Sequence, residues 1–495
     1  MKKLFTMLVA SVCCTMAYAQ SISVDDVNVA KGGTGQVEVS IANPTNYTAF
    51  QFDLKLPAGV SVKEAKLKGE YGTSRHFLNG KVGDKVRFLS YDDANAKLAD
   101  GEKVLLTLEA TEEAETAALT GDGIVIVDPA GASVGAEETA SANINVSEGV
   151  QVTIGANGVA TLVSDKDIDF TNSSVKAYIA TGYDYVTNDI WLTRVKDVPA
   201  DTPILLIGEP SGETPYVIPV TTSRIYYPEN FLKGKATANQ PVDQTGKYIN
   251  MQLKSGSFIG LASTVTEFPA GKCYLQIPAS VTPTSGDDLA FTMGGNGIKS
   301  YTGKYDLDFT GKDVKAYTVT GYDKDNTIWL TRVMKVSANT PLVLLGDANQ
   351  PYEVPSTEQQ TSYVNMLRGD ANNKVPITKK ADGWINLVLK SGMFVGLSVE
   401  STEMPAGSAY LPIPASIVPA ATRGEFANNL QYKFAEAEII TLKAIIGGED
   451  DGATGISRIA SEVGNDTWYN LSGQRISTPT KKGLYIKNGK KVIVK

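Results

Sequence analysis

The sequence predicts an all-β, multidomain protein, and three observations lead there. Apolar and polar residues alternate along short runs, the signature of strands with one wet face and one buried face. The 46 glycines and 22 prolines fall at turn-like positions throughout the chain. No stretch of useful length carries a helical period. At 495 residues the chain also exceeds what one core usually organises, so several domains are expected. A hydrophobic content of 42% is that of a folded protein and excludes wholesale disorder.

Residues 1–19 read as a secretory leader. Lys2 and Lys3 precede an apolar run from Leu4 to Met16, and Ala17-Tyr18-Ala19 places small residues at a cleavage site. Cleavage is expected between Ala19 and Gln20, and the run is too short to span a bilayer. Of the three cysteines only Cys273 would then remain, so the mature chain would hold no internal disulfide. Cys273 sits in the apolar run Cys273-Tyr274-Leu275-Gln276-Ile277, which suits a buried small hydrophobe rather than a nucleophile.

Residues 20–148 are expected to form a β-sandwich or jelly roll. Val37, Val39 and Ile41 alternate with Gln36, Glu38 and Ser40, and Phe50, Phe52, Leu54 and Leu56 with Gln51, Asp53 and Lys55. Further strands are legible at 85–91, 104–110 and 123–127, with turns expected at Asp100-Gly101 and Asp122-Gly123. One-sided alternation is satisfied by two sheets packed face to face.

Residues 149–285 and 286–425 are two copies of one unit. Asp169-Phe170-Thr171 and Thr181-Gly182-Tyr183-Asp184 return as Asp308-Phe309-Thr310 and Thr320-Gly321-Tyr322-Asp323. Ile190-Trp191-Leu192-Thr193-Arg194-Val195 returns as Ile328-Trp329-Leu330-Thr331-Arg332-Val333, and Leu253-Lys254-Ser255-Gly256 as Leu389-Lys390-Ser391-Gly392. Tyr248 corresponds to Trp384. A period this long marks duplicated domains rather than a solenoid. Residues 426–455 read as a strand and an acidic, glycine-rich linker around Gly447-Gly448-Glu449-Asp450. Residues 456–495 read as a small β-sandwich unit closed by a hairpin at Asn488-Gly489.

Charge separates along the chain. Without Lys2 and Lys3 there are 44 basic and 54 acidic residues, a net of −10. Positions 467–495 hold seven basic residues and no acidic one, so 20–466 carry −17. An acidic body speaks against nucleic acid as partner.

The chemistry-bearing residues are few. His76 is the single histidine, which leaves little for a histidine-based triad or zinc site. Paired carboxylates could still run glycoside hydrolysis, but no apolar-flanked pair stands out. The loop Asp184 to Asp189, matched by Asp323 and Asp325, offers hard oxygen ligands for a possible calcium ion, although hydrogen-bonded turns use the same residues. No other cofactor is expected. Tyr183, Trp191, Tyr322 and Trp329 are the candidate ligand-binding residues, because an exposed aromatic ring gives a sugar a flat apolar face. Packing of the tryptophans in the core is the competing reading. Arg194 and Arg332 stand three residues after each Trp and so belong on the opposite face of the strand.

Three resemblances add to this. Tyr469-Asn470-Leu471-Ser472-Gly473-Gln474-Arg475, Gly483-Leu484-Tyr485-Ile486 and Asn488-Gly489-Lys490-Lys491-Val492 resemble the C-terminal sorting domain of type IX secretion substrates in Bacteroidetes. That resemblance implies contact with the secretion machinery, export across the outer membrane, and then release or surface attachment. Val37–Ile41, Ala49–Leu54 and Leu56-Pro57-Ala58-Gly59-Val60 look like a cohesin-like or carbohydrate-binding sandwich, which implies a protein or glycan partner. The duplicated unit is similar to β modules of surface proteins in the same bacteria. The expectation is a non-catalytic secreted or cell-surface binding or scaffolding protein, an adhesin or glycan-associated protein, with no nucleic acid partner and no span after leader removal. A carboxylate-based hydrolase and a purely structural spacer are the alternatives.

Overall fold

Every element of the computed structural model is a strand, bridge, turn or bend; among the described residues there is no helix. Those residues are 21–42, 46–69, 71–98, 102–136, 140–223, 225–323, 327–381, 383–390 and 392–415, together with strands at 431–434, 439–445, 468–469, 475–476, 483–487 and 490–494. The expected leader with Ala19 and Gln20, the turn Asp100-Gly101 and Asp325 lie outside them. Contacts divide the chain into two units. The first is 1–151 with 171–174 and 216–220, and the second holds the remainder.

The first unit is a two-sheet sandwich. One sheet runs Ser21–Val24, Thr34–Ala42, Glu102–Ala110, Val60–Leu67. The other runs Val27–Ala30, Ala140–Ser147, Ala117–Val127, Ala49–Lys55, Lys85–Asp92, Arg75–Val82, with Ser133–Ala136 added to Ala117–Val127. The alternation read in the sequence is the packing observed. Val37, Val39, Ile41, Phe50, Phe52 and Leu54 are all buried in one core. Asp122-Gly123 is corrected from a turn to a β-bulge inside the strand Ala117–Val127. The register against Ala49–Lys55 shifts between Gln51 and Asp53, and Gly123 takes φ 64°, which glycine adopts without a Cβ clash. The bulge leaves Asp53 beside Arg87, which holds it with two bonds of 2.8 Å.

The second unit contains both copies. In each, a four-strand core is built identically. Lys176–Asp184 pairs with Asp189–Val195 and Ile204–Ile207, and Lys315–Asp323 pairs with Thr327–Val333 and Pro341–Leu345. Val159–Leu162 and Ile298–Thr302 add the fourth strand. The same bulge recurs, between Ala180 and Gly182 and between Val319 and Gly321. Its extra threonine is tied across the hairpin both times, Thr181 to Thr193 at 2.8 Å and Thr320 to Thr331 at 2.9 Å. A second layer is made of Tyr248–Lys254, Ser257–Gly260, Cys273–Pro278 and Leu232–Gly234 in copy one. In copy two it is Trp384–Lys390, Met393–Gly396, Ala409–Pro414 and Arg368–Gly369. The space between the layers is filled by Ile190, Leu192, Met251, Phe258, Cys273 and Leu275 in copy one. Ile328, Leu330, Leu387, Phe394, Ala409 and Leu411 fill it in copy two.

Two features depart from a simple tandem. The first is a reciprocal exchange of edge strands. Thr361–Tyr363 of copy two pairs with Lys176–Asp184 of copy one, and Ile225–Tyr226 of copy one pairs with Lys315–Asp323 of copy two. The two tandem domains expected from the repeat therefore form one interlocked body. The second concerns the stretch expected to be a strand and linker. Ile439–Ile445 pairs with Asp189–Val195 and with Ser257–Gly260, joining the two layers of copy one into a ten-stranded sheet. Gln431–Phe434 pairs in parallel with Thr327–Val333 of copy two, which keeps its sheets separate.

An aspartate locks the loops at one end of each copy. Asp306 is fully buried and accepts the backbone N–H groups of Thr284, Ala338 and Gln359 at 2.6–2.8 Å. Its counterpart Asp167 accepts those of Ala200 and Ser223, both at 2.8 Å. At the C-terminus, Gly483–Lys487 pairs antiparallel with Lys490–Val494, as the Asn488-Gly489 turn signal requires.

Candidate functional site

Strand parity decides which side chains the second layer turns outward. Opposed residues of neighbouring strands point to the same side, and the side alternates along each strand. In copy one Tyr248 is opposed to Pro278, Asn250 to Gln276, and Tyr274 to Lys233. These six share one face, while Ile249, Met251, Leu275 and Ile277 turn to the core. In copy two Trp384 is opposed to Pro414, Asn386 to Pro412, and Tyr410 to both Val388 and Arg368. The two faces therefore repeat one pattern of an aromatic, an amide, a tyrosine and a cation.

The aromatics at the outer end of the pattern are open to solvent, Tyr248 at 39% and Trp384 at 38% exposure. The amides are buried and held. Asn250 donates to the carbonyl of Asp243 at 2.7 Å and Asn386 to that of Thr378 at 2.8 Å. Gln276 donates to Asn250 Oδ1 at 3.0 Å. Burial pushes the Tyr274 hydroxyl above its ordinary pKa, so the phenol stays neutral.

Each face becomes the floor of a cavity whose wall comes from the other copy. Trp384, Asn386, Tyr410 and Pro412 are joined by Pro228 and Glu229 of copy one around about 420 Å³. Tyr248, Gln276, Lys233 and Pro278 are joined by Tyr363, Val364 and Arg368 of copy two around about 330 Å³. Glu229 and Arg368 line both cavities and form an ion pair of 2.7 Å, so the two spaces meet at that pair. Arg368 is further fixed by donating to the carbonyls of Asn365 and Leu367. Volumes of this size fall in the roughly 300–1,000 Å³ range of small-molecule sites. Burial lowers the Lys233 pKa, and the nearby Glu229 carboxylate acts in the opposite sense.

The residues expected to bind ligand sit elsewhere. Tyr183 is fully buried, its hydroxyl donating to Asn188 Oδ1 at 2.9 Å and its ring meeting Tyr185 edge-on. Tyr322 is buried and stacks on Tyr226 of the other copy at 5.4 Å. Neither has a ring face left for a sugar. Trp191 is half-buried with its indole lying flat on Tyr363 of the other copy, centroids 5.2 Å apart and planes 7° from parallel. Trp329 is half-buried at the equivalent position. Trp191 and Tyr322 fasten the exchanged strands. Arg194 opposes Tyr178 and Arg332 opposes Tyr317, on the strand face away from the tryptophans, as the spacing requires.

The carboxylate loop is a hydrogen-bonded turn. Asp184 is buried, and its Oδ1 accepts the N–H groups of Val186 and Thr187 at 2.8 and 3.1 Å. Asp189 and Asp323 close the two hairpins, and no three metal-ligating side chains converge among the described residues. Cys273 is buried, with its thiol pushed up to about 12 by loss of solvation. That leaves it thiol rather than thiolate at neutral pH. His76 is half-buried, stacks on Tyr91 at 4.8 Å and bonds Asp93 at 2.8 Å. It belongs to the first unit and Cys273 to the second.

No known protein-family profile matches the chain, and no curated protein matches it. Among solved structures, a cohesin module from a Clostridium perfringens family 33 glycoside hydrolase is similar at 19% identity, over 26% of this chain and 96% of its own, with a TM-score of 0.22. A non-cellulosomal cohesin from Archaeoglobus fulgidus is similar at 22% identity, over 26% of this chain and 91% of its own, with a TM-score of 0.21. The major pilin subunit of Bacillus cereus is similar at 11% identity, over 40% of this chain and 68% of its own, with a TM-score of 0.19. Likenesses of this size carry no functional inference.

Proposed function

We propose that this is a non-catalytic secreted or surface binding protein whose interlocked copies take up a saccharide in the groove between them. The single observation that carries the reading is the repeated outer face. A solvent-open aromatic, Tyr248 or Trp384, stands over a buried, oriented amide in both copies. Stacking on the ring supplies apolar contact, and the fixed amides and glutamine supply the directional contacts a sugar hydroxyl needs. Cys273, held as a buried thiol, and His76, in the other unit, support a binding role over a nucleophilic one. Within this reading the sandwich of the first unit is a spacer or a second docking module. The C-terminal hairpin serves export or surface attachment.

The test is a glycan array probed with the full-length mature protein, followed by tryptophan fluorescence titration of the best ligand. Saturable quenching is expected, with affinity falling roughly tenfold in Trp384→Ala and in Tyr248→Ala. Unchanged affinity in both variants, or turnover of any polysaccharide by the intact protein, overturns the reading.

A further inference from the structure

We infer that the groove selects saccharides bearing carboxylates, with an anionic ring held by the Lys233 ammonium beside Tyr248 while the Trp384 half stacks a further ring. This rests on the saccharide reading above and adds the charge of the ligand. The argument begins at strand register. Lys233 opposes Tyr274 in copy one, and Arg368 opposes Tyr410 in copy two. The duplication has therefore kept a basic side chain at one position of the floor while the neighbouring aromatic changed between tyrosine and tryptophan.

The two cations stand differently. Arg368 is neutralised by Glu229 and pinned to two carbonyls, so its guanidinium presents a fixed edge to the groove. The Lys233 side chain lines the cavity of Tyr248 and Gln276 and is engaged there by no side-chain hydrogen bond or close ion pair among the described residues, only by the Glu229 carboxylate from further off. It is largely withdrawn from water, and an ammonium so placed is stabilised by an incoming anion. Two cations against one carboxylate leave the groove positive, in a body (residues 20–466) whose net charge is −17. Acidic glycans are repelled by such a surface in general, so a local positive groove confers selectivity as well as attraction.

The experiment compares three sets of oligosaccharides on the full-length mature protein: uronate-bearing and sialylated oligomers, the same oligomers with every carboxyl methyl-esterified, and neutral sugars. Esterification removes charge while keeping the ring, so a loss of at least about tenfold in affinity is expected. Lys233→Met is expected to produce a similar loss for the acids, larger than its effect on neutral sugars, and Lys233→Arg to retain acid binding. A melting temperature within the wild-type range shows that the variants are folded. If neutral sugars bind through Trp384 and esterification changes nothing, the charge inference falls and the saccharide reading stands. If no saccharide of any kind binds, the saccharide reading itself falls. If acids bind equally well to wild type and to Trp384→Ala and Lys233→Met, binding is diffuse and the groove assignment is overturned.

Discussion

Single residues hold this fold at points where backbone donors would otherwise be stranded. Asp306 satisfies three backbone N–H groups from three separate loops, and Asp167 does the same for two. Removing such a carboxylate leaves each donor unpaired, at about 1–3 kcal/mol apiece. Asp306→Ala is therefore expected to destabilise the second unit by about 3 kcal/mol or more, and Asp167→Ala by less, measured by urea unfolding. At this scale the sequence was informative about type and poor about role. The burial of Cys273 followed from its apolar neighbours. The same reasoning gave the Asp184–Asp189 loop hard oxygen ligands for calcium, although Asp184 spends its Oδ1 on the amides of Val186 and Thr187. A carboxylate's appetite for cations and for N–H groups is one property, and only the surrounding backbone decides which it meets.

At the scale of elements, two glycines make the strand exchange possible. A methyl group added at Gly182 would lie 2.5 Å from Trp191 Cε3 and 2.9 Å from Tyr363 Cδ1, inside van der Waals contact. At Gly321 it would lie 2.7 Å from the carbonyl oxygen of Tyr226 and 3.0 Å from the Tyr227 ring. Gly321→Ala meets backbone and Gly182→Ala meets two stacked rings. Each is expected to cost about 1–3 kcal/mol and to loosen the crossing, seen as faster hydrogen exchange at the amides of 361–363 or 225–226. The long strands were readable because alternation over many residues has one burial solution. Ile225–Tyr226 and Thr361–Tyr363 were not, because a strand of two or three residues has no period to detect. For the same reason the sequence alone makes Tyr183, Trp191, Tyr322 and Trp329 look like a binding platform. Whether a ring face is open depends on what covers it, and the cover here comes from the other copy. The signal for the groove lay in plain view as Tyr248-Ile249-Asn250-Met251 and Trp384-Ile385-Asn386-Leu387, an outward aromatic and amide alternating with core residues.

For the whole molecule, duplication and exchange together mean that the repeat is not the unit of stability. A fragment ending at residue 283 lacks the strand Thr361–Tyr363 that covers Lys176–Asp184, and the strand Ile439–Ile445 that joins its layers. It is expected to show lost near-ultraviolet circular dichroism and a tendency to associate through bare edges, whereas 149–445 is expected to melt as one transition. Duplication was evident from the matched motifs; interlocking was not, since nothing in a local motif tells which copy of an edge it will join. The consequence reaches into synthesis. A polypeptide leaves the ribosome with its amino end first. The Lys176–Asp184 hairpin must wait nearly two hundred positions for its neighbour to emerge, and longer still for the strand near position 440. Closing so wide a loop is slow, and the waiting edges are adhesive. The order of arrival, rather than the strength of any one contact, governs when the groove first exists, and a chain still being delivered has no assembled groove until the strand Ala409–Pro414 has followed.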